Sequence, residues 1–408
     1  MSGGWLKKSV SFLGLSRSMA GMLAMVVLVG LGEKMAERFL PLYLVALGGG
    51  AVSVGLLNGL DNLLSALYSF PGGYLSDRFG YKRALLIFNL MAMAGFVVVI
   101  VIPAWPAVIA GAALFLSWTA ISLPATMSLV ARVLPQGKRT MGVSMHSLVR
   151  RLPMALGPVL GGVCIGMFGI EKGVRVAFGI ALILALAALI MQQRLIEDRP
   201  ASASSEAKPL GMSPLKSLAL LSPSLRRLLA ADILIRFCEQ IPYAFVVIWC
   251  VQVIESPVSP VQFGLLTTVE MVTAMLIYVP VAHFADKGAK KPFVVITFVF
   301  FTLFPLSLVF CRSFWPLVGA FVLRGLKEFG EPTRKALIMD LAPEDRKAAT
   351  FGFYYLLRDT VVSVAAFGGA FLWLIDPLAN FLAAFFCGLA GTVFFALKGR
   401  DLTLSGRQ

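Results

Sequence analysis

The fold is decided by the stretch Pro71-Gly-Gly-Tyr-Leu-Ser-Asp-Arg-Phe-Gly-Tyr-Lys-Arg83. Long apolar segments precede and follow it, so the pattern predicts a short polar loop between two membrane spans. Glycine suits tight turns and close helix approach, and basic residues hold a loop on the cytoplasmic side of a membrane. The residues that carry this pattern are Gly73, Asp77, Arg78, Gly80, Lys82 and Arg83.

The composition of the whole chain agrees with a membrane protein. Of its 408 residues, 58% are hydrophobic and 14% are charged, and the mean hydropathy is +0.86. A soluble domain carries about a quarter charged residues. Apolar runs long enough to cross about 30 Å of hydrocarbon recur throughout the sequence. These features predict an all-α polytopic membrane protein.

The apolar runs predict twelve transmembrane helices. We place them at 19–46, 52–75, 84–103, 106–131, 141–168, 173–194, 225–254, 261–284, 292–311, 315–341, 348–374 and 377–398. The stretch between the sixth and seventh spans is rich in Ser, Pro, Ala and charge, which is typical of a flexible linker. The predicted domains are therefore a six-helix half at 1–196, a cytoplasmic linker at 197–223 and a second six-helix half at 224–408.

The two halves repeat each other. Matches at an offset of 209 residues include Asp61 with Glu270, Pro71 with Pro280, Asp77 with Asp286 and Lys82 with Lys291. Matches at an offset of 208 include Pro124 with Pro332, Arg150 with Arg358 and Gly161 with Gly369. Such a repeat predicts two pseudo-symmetric halves related by an axis along the membrane normal.

Together, the loop pattern and the repeat resemble the major facilitator superfamily over the whole chain. A second motif, Gly157-Pro158-x-x-Gly161-Gly162, resembles the antiporter signature of that family. Its glycines favour close helix packing and its proline favours a bend. In relatives the motif is associated with exporters that exchange a drug or other small molecule for protons. The resemblance therefore implies a secondary transporter, with the motif favouring this proton-antiporter type, and not an enzyme.

The loop pattern also suggests a gate. Asp77 can accept hydrogen bonds from a helix N-terminus or pair with an arginine of a neighbouring span, which would hold the two halves together on the inner face. The second copy of the loop keeps Asp286 and Lys291 but has alanine at both key glycine positions. We expect this second copy to hold less firmly.

Charged side chains inside the spans form one-sided stripes. Each costs roughly 2.5–3.5 kcal/mol at the centre of a span, so such residues usually face a cavity. The resemblance implies that the stripes line one central cavity. The candidate cavity residues are Arg38, Arg150, Arg151, Asp232, Arg236, Glu239, Tyr243, Arg324, Lys327, Glu328, Tyr354, Arg358 and Asp359. The alternative is that they form internal ion pairs, such as Arg324 with Glu328 or Lys327 with Glu331, both at i,i+4 spacing.

Five titratable residues are candidates for proton coupling: Asp61, Glu270, Glu33, Glu37 and His146. An apolar setting favours the neutral form of a carboxyl group, which would let it take up and release a proton. For the repeat-equivalent acids Asp61 and Glu270, the alternative is a pair with an arginine of another helix. For His146, the alternative is an interior histidine with its hydrogen bonds satisfied.

The arginines indicate the kind of substrate. Arg150, Arg151 and Arg358 stand at matched positions of the two halves and would suit a small anionic or zwitterionic organic solute. If neighbouring acids neutralise them, an amphipathic solute fits instead. No cofactor is expected. The five cysteines are scattered without metal-ligand spacing, so neither a metal site nor a disulfide framework is predicted.

Three functions remain open on this sequence. The first is proton-coupled export by alternating access, which the Gly-Pro motif favours. The second is proton- or cation-coupled uptake on the same fold. The third is a sensor or scaffold that transports nothing. An enzyme or an ATP-driven pump is disfavoured, because the sequence contains no HExxH, GxSxG or P-loop pattern.

The basic charge of the chain sets its orientation. The net charge is +15, and about 25 of the 36 Lys and Arg residues fall in alternate loops and the termini. This asymmetry predicts that both termini are cytoplasmic. We expect a monomer in the bacterial inner membrane that contacts lipid headgroups, and no nucleic-acid partner.

Overall fold

The structure is a computed structural model that describes residues 17–116, 118, 122, 126, 129, 149–196, 221–285, 290–342 and 347–399. Within these ranges the side chains at 17, 69–74, 76–77, 278–285 and 347–349 are not described. Residues 197–220 of the predicted linker, His146 and Asp286 lie outside the described residues, and so do the side chain of Asp77 and the surroundings of Gly73.

Helices account for most of the described residues, and no β-strand occurs among them. The helices are α1 (Arg17–Glu37), α2 (Leu40–Ala46), α3 (Gly50–Phe79), α4 (Tyr81–Val101), α5 (Trp105–Phe115), α6 (Arg151–Leu195), α7 (Pro223–Tyr243), α8 (Val246–Ile248), α9 (Pro260–Ala285), α10 (Lys291–Phe310), α11 (Phe314–Leu326), α12 (Glu331–Leu341), α13 (Lys347–Ile375) and α14 (Pro377–Lys398). A π-helix, Trp249–Val253, follows α8.

Seven of the described helices are long and apolar enough to cross a membrane. The pair formed by α7 and Val246–Val253 is bent by 42° and would make an eighth span. Helix α6 has 45 residues and is broken at Gly169, where φ is 77° and ψ is 172°. Since about 20 residues suffice for one crossing, α6 is long enough for two. The predicted all-α polytopic membrane fold is confirmed.

The polar stretch Pro71–Arg83 was predicted to be a loop, but most of it is helical. Helix α3 continues through Phe79, and α4 begins at Tyr81. The connection is therefore Gly80 alone, with φ 81° and ψ 154°. A positive φ favours glycine, so the tight turn predicted at Gly80 is confirmed. The polar residues before Gly80 belong to the last turns of a helix, because backbone hydrogen bonding continues through them.

Lys82, from the same stretch, contacts the end of another helix. Its Nζ donates to the carbonyl oxygen of Gln193 at 3.0 Å, and Gln192 Nε2 donates to the carbonyl oxygen of Lys82 at 3.0 Å. The last carbonyls of a helix have no partner within the helix, so a lysine there satisfies one of them. Lys82 thus ties the start of α4 to the end of α6.

The chain forms two compact units. The first comprises Met1–Gly49, Leu64–Glu206 and Ser259–Leu265, and the second comprises Gly50–Leu63, Ala207–Val258 and Leu266–Gln408. Within the limits of the described residues, each unit is a bundle of packed helices. The division at 1–196, 197–223 and 224–408 stays a prediction.

In the first unit, the Gly-Pro motif lies where α6 meets its neighbours. A Cβ on Gly157 would lie 2.7 Å from Cβ of Lys34 on α1, and one on Gly161 would overlap the carbonyl oxygen of Met35. A Cβ on Gly162 would lie 2.5 Å from the carbonyl oxygen of Pro260, at the start of α9. Only a residue without a side chain allows this approach, which is the packing expected of such a motif.

In the second unit, α7 packs on α10, α13 and α14 around an apolar core. Its first turn is capped by Ser222, whose side chain accepts from the backbone N–H of Leu225 at 3.2 Å. Buried residues of this core include Leu225, Leu228, Ile235, Phe298 and Phe395. The core fixes α7 rigidly, which matters because α7 also carries a row of charged residues.

Candidate functional site

A break in one span of the second unit positions the charged residues. Helix α11 ends at Leu326 and α12 begins at Glu331. Between them the backbone turns tightly, with the Phe329 N–H donating to the carbonyl oxygen of Leu326 at 2.9 Å. The break shifts the residues after it relative to those before it, so i,i+4 spacing does not hold across it.

Lys327 lies in this break and pairs with acids of two other helices. Its Nζ lies 2.8 Å from Glu239 Oε1 on α7 and 3.5 Å from Glu270 Oε1 on α9. Glu331 is bound instead by Arg334, Arg236 and Lys335. The pair of Lys327 with Glu331 that the sequence suggested is therefore wrong.

Among the acids of the second unit that the structure describes, Asp232 is the most deeply buried, with none of its side chain exposed. Arg334 Nη1 donates to Asp232 Oδ1. On the other carboxylate oxygen, Tyr354 donates at 3.0 Å and Arg358 Nη1 lies at 3.4 Å. Three groups from two other helices thus hold one carboxylate, as a buried charge requires.

Arg334 connects Asp232 to the next acid. Its Nη2 donates to both carboxylate oxygens of Glu331, at 2.8 and 2.7 Å. Arg236 continues the series, because its Nη2 lies 3.6 Å from Glu331 Oε2 and its Nη1 donates to Glu239 Oε2 at 2.5 Å. The charges therefore form a connected series rather than separate pairs.

The series ends in one further pair on each side. Arg324 Nε lies 3.2 Å from Glu270 Oε1, and the side chains are 4% and 2% exposed. At the other end, Arg358 Nε donates to Asp359 Oδ1 at 2.7 Å. Lys335 also pairs with Glu331 but is 51% exposed, so we leave it out. We call the remaining connected residues the ion-pair chain: Asp232, Arg236, Glu239, Glu270, Arg324, Lys327, Glu331, Arg334, Arg358 and Asp359.

The ion-pair chain contains five acids and five bases, so it is neutral when all are ionised. Burying a charge costs several kcal/mol unless a partner compensates it. A neutral set of partners on five helices avoids most of that cost. Removing any one member leaves its partners with an excess charge.

A small pocket of about 10 Å³ lies beside Glu239 of the ion-pair chain. It is lined by Glu239, Tyr243, Val246, Phe301, Phe304, Arg324 and Lys327. The guanidinium of Arg324 lies 5.0 Å from the centre of the Phe304 ring, and Lys327 Nζ lies 5.7 Å from that of Phe301. Two cations, one carboxylate and three aromatic rings thus surround one small space with room for about one water molecule.

Most of the predicted cavity residues of the second unit belong to this site. Glu270 is paired with Arg324 and Lys327, which is the alternative that the sequence left open for it. Its repeat counterpart Asp61 is partly buried on α3. Glu328 lies in the turn between α11 and α12.

In the first unit, the predicted proton-coupling acids of α1 pair with a lysine of the same helix. On α1, Lys34 Nζ lies 3.1 Å from Glu33 Oε1 and also pairs with Glu37. Glu33 is 2% exposed. Further candidates of this unit are partly buried: Arg38 just after α1, and Arg150 and Arg151 at the start of α6.

Sequence reasoning missed Arg334, a central member of the ion-pair chain. A pattern that could have found it is the spacing of Arg324, Lys327, Glu331 and Arg334, which recur at intervals of three, four and three residues. At the offset of 208 residues, its counterpart in the first half is Thr126. The buried arginine therefore has no charged counterpart in the repeat.

Comparison with known sequences gives the following matches. A sequence model of the Major Facilitator Superfamily matches residues 22–257 and 228–407. An uncharacterized MFS-type transporter of Methanocaldococcus jannaschii is 20% identical over 362 residues, covering 86% of this chain and 87% of that protein. A putative uncharacterized MFS-type transporter of Mycobacterium tuberculosis is 30% identical over 164 residues, covering 40% of this chain and 38% of that protein.

Solved structures share the fold at low sequence identity. A mutant of the peptide transporter POT in complex with sulfate has a TM-score of 0.75 at 16% identity. The match covers 96% of this chain and 95% of the transporter chain. A human organic anion transporter has a TM-score of 0.63 at 18% identity. The match covers 93% of this chain and 98% of that transporter chain. A POT family transporter in complex with 5-aminolevulinic acid has a TM-score of 0.70 at 13% identity. The match covers 92% of this chain and 94% of that transporter chain.

Proposed function

Because this chain belongs to the major facilitator superfamily and is therefore a secondary transporter, we propose that it exports a small organic solute in exchange for protons. The protein is a multi-pass integral membrane protein, and as a member of this family it is not an enzyme. In the proposed cycle, the two halves expose a central site to each side of the membrane in turn. Both termini lie in the cytoplasm, and the protein acts as a monomer in the bacterial inner membrane.

The observation that carries the export proposal is the packing of the Gly-Pro motif. Gly157 and Gly161 bring α6 against α1 at backbone distance, and Gly162 brings it against the start of α9. At these three glycines the backbones are too close for a water molecule to lie between them, and an exchanger needs such close contacts to prevent a proton leak. The motif is associated with exporters in the family.

Proton coupling is assigned in this proposal to acids in the spans. Glu33 is almost fully buried on α1 and shares Lys34 with Glu37, so one proton on this pair would change its charge balance with the lysine. Glu270 occupies a similar position between Arg324 and Lys327. Asp61 and His146 are further candidates, and Arg150 and Arg151 would contact the solute.

A second candidate is uptake by proton symport, and the ion-pair chain favours it. Its cations Arg324 and Lys327 are neutralised by Glu239 and Glu270. An anionic solute that displaces one of these carboxylates would bind together with a proton, and both would then cross in the same direction. The two candidates therefore differ in the direction of the proton relative to the solute.

Transport measurements separate the two. A ligand is first found by thermal shift of the purified protein against a panel that contains dipeptides, 5-aminolevulinic acid, organic anions and drugs. For export, we expect everted membrane vesicles with an acidic interior to accumulate that ligand, and a protonophore to abolish the accumulation. Accumulation by whole cells under external acid would overturn export and support symport.

The same assay tests the alternative of a protein that senses but does not transport. Asp61→Asn, Glu270→Gln and Arg150→Ala are each expected to reduce proton-driven flux at least tenfold if these residues couple or bind. Lys335→Gln is the control, because this lysine is 51% exposed at the edge of the ion-pair chain and should keep most of the flux. Full cellular function with no flux in all three variants would favour the sensor.

A further inference from the structure

We propose that one end of the second unit binds an anionic phospholipid, whose phosphate group is held by cations at the ends of three helices. The site is the corner at which α7 and α10 begin and α14 ends. We call it the basic corner, and its cations are Arg226, Arg227, Lys290, Lys291 and Lys398. The inference goes beyond the transport function, because it names a membrane partner and is independent of the solute and of its direction.

One apolar core brings these three helix ends together. Leu228 of α7, Val294 and Phe298 of α10 and Phe395 of α14 all belong to it. The centres of the Phe298 and Phe395 rings lie 5.5 Å apart. Each cation of the basic corner lies within about one helical turn of one of these buried residues in the sequence. The cations therefore gather at the same end of the three helices.

Three of the cations continue the rows of residues by which the helices pack. A Cβ on Gly391 of α14 would lie 3.0 Å from the carbonyl oxygen of Ala231 on α7. Arg227 stands four residues before Ala231, and Lys398 stands seven residues after Gly391, so both lie on the facing sides of their helices. Lys290 stands in the same relation to α10, four residues before a buried position of the core.

The basic corner is rich in positive charge. The segments 221–231, 290–300 and 390–399 contain its five cations and no Asp or Glu. An ion pair with Asp340 on α12 neutralises one of the five, Lys290. Helices α7 and α10 add the positive ends of their dipoles, whereas Lys398 lies at the negative end of α14 and offsets it. Basic clusters between the ends of membrane spans favour anionic headgroups.

The surface beside the basic corner is apolar and open to the membrane. On α14, Val393 and Leu397 are 46% and 75% exposed, and on α10, Ile296 is 40% exposed. Each lies at most five residues from a cation of the basic corner. Both helices are long and apolar enough to cross the bilayer, so their ends lie at the level of the headgroups. Cations at that level with apolar side chains below them match a lipid, which has a charged head and apolar chains.

Lipid binding to the purified full-length protein tests the proposal. Delipidated protein in detergent is titrated with phosphatidylglycerol, which is anionic, and with phosphatidylcholine, which carries no net charge. Native mass spectrometry counts the bound lipid, and thermal unfolding is followed in parallel. We expect phosphatidylglycerol to bind at least tenfold more tightly and to raise the unfolding temperature. Salt at about 0.5 M should reduce this preference, because it screens exposed charges.

A double variant locates the site. Arg227→Gln combined with Lys398→Gln removes one cation from each of two facing helices. A lysine or arginine near an anionic lipid contributes about fivefold in affinity, so phosphatidylglycerol should bind at least tenfold more weakly while phosphatidylcholine binds as before. Arg312→Gln is the matched control, because it removes an exposed cation just beyond the opposite end of α10 and should leave both affinities unchanged.

Three results would overturn the inference. Two are equal affinities for the two lipids and undiminished phosphatidylglycerol binding by the double variant. The third is stabilisation by glycerol 1-phosphate as strong as that by phosphatidylglycerol, which would assign the basic corner to a soluble phosphate compound. If the double variant does not fold, the salt dependence of the unaltered protein decides. A preference for phosphatidylglycerol that high salt leaves unchanged would contradict a site built from cations.

Discussion

Asp232→Asn is expected to lower the free energy of unfolding by about 3–5 kcal/mol. The carboxylate of Asp232 is fully buried and is contacted by Arg334, Arg358 and Tyr354. Asparagine has nearly the same shape but no charge, so it leaves the two arginines with one compensating acid fewer inside the protein. Thermal or denaturant unfolding of the purified protein in detergent measures the loss.

An exposed ion pair provides the control for Asp232→Asn. Glu255 and Arg312 pair across the surface, with side chains 64% and 71% exposed. Glu255→Gln should cost less than about 1 kcal/mol, because solvent compensates the unpaired arginine. Equal losses in the two variants would contradict the view that burial of the ion-pair chain makes Asp232 important.

Gly161→Ala is expected to be the most damaging single-methyl change in the first unit. A Cβ at this position overlaps the carbonyl oxygen of Met35, which is backbone and cannot rotate away. Helices α1 and α6 would have to separate, and overpacking of this kind costs typically about 1–3 kcal/mol and sometimes more. We expect the cost to reach the upper end of that range, seen as a lower unfolding temperature and a lower yield of folded protein.

Gly179→Ala tests whether that loss comes from packing or from helix propensity. Gly179 lies on the same helix, α6, and a Cβ there would meet no atom within 4 Å. Alanine favours a helix over glycine by up to about 1 kcal/mol, so Gly179→Ala should be neutral or slightly stabilising. A comparable loss at both positions would mean that close approach at Gly161 is not what the motif provides.

Sequence periodicity predicted some features of the candidate site well. The charged residues of α7 recur at helical spacing, so periodicity alone places Asp232, Arg236 and Glu239 on one side of a helix. The structure brings all three into the ion-pair chain. A stripe of this kind is a local property, because 3.6 residues complete a turn whatever surrounds the helix.

Partners across helices were beyond the reach of periodicity. Glu270 is an isolated acid in the sequence, yet it contacts Arg324 and Lys327. Residues that meet between helices can be any distance apart in sequence, so spacing carries no information about them. Spacing could place Arg334 in line with Arg324 and Glu331, but it could not show that Arg334 binds Asp232, 102 residues away.

By itself, the sequence determined the membrane class, the internal repeat and the family. These depend on the length of apolar runs, on composition and on motifs, all of which can be read without knowing which residues meet in space. Only the tertiary structure decided where helices break and which charges meet. It turned the predicted loop at Pro71–Arg83 into the end of α3 and a one-residue turn at Gly80. It also gave Lys327 partners on α7 and α9, because in an apolar interior a charge is stable only beside its partner.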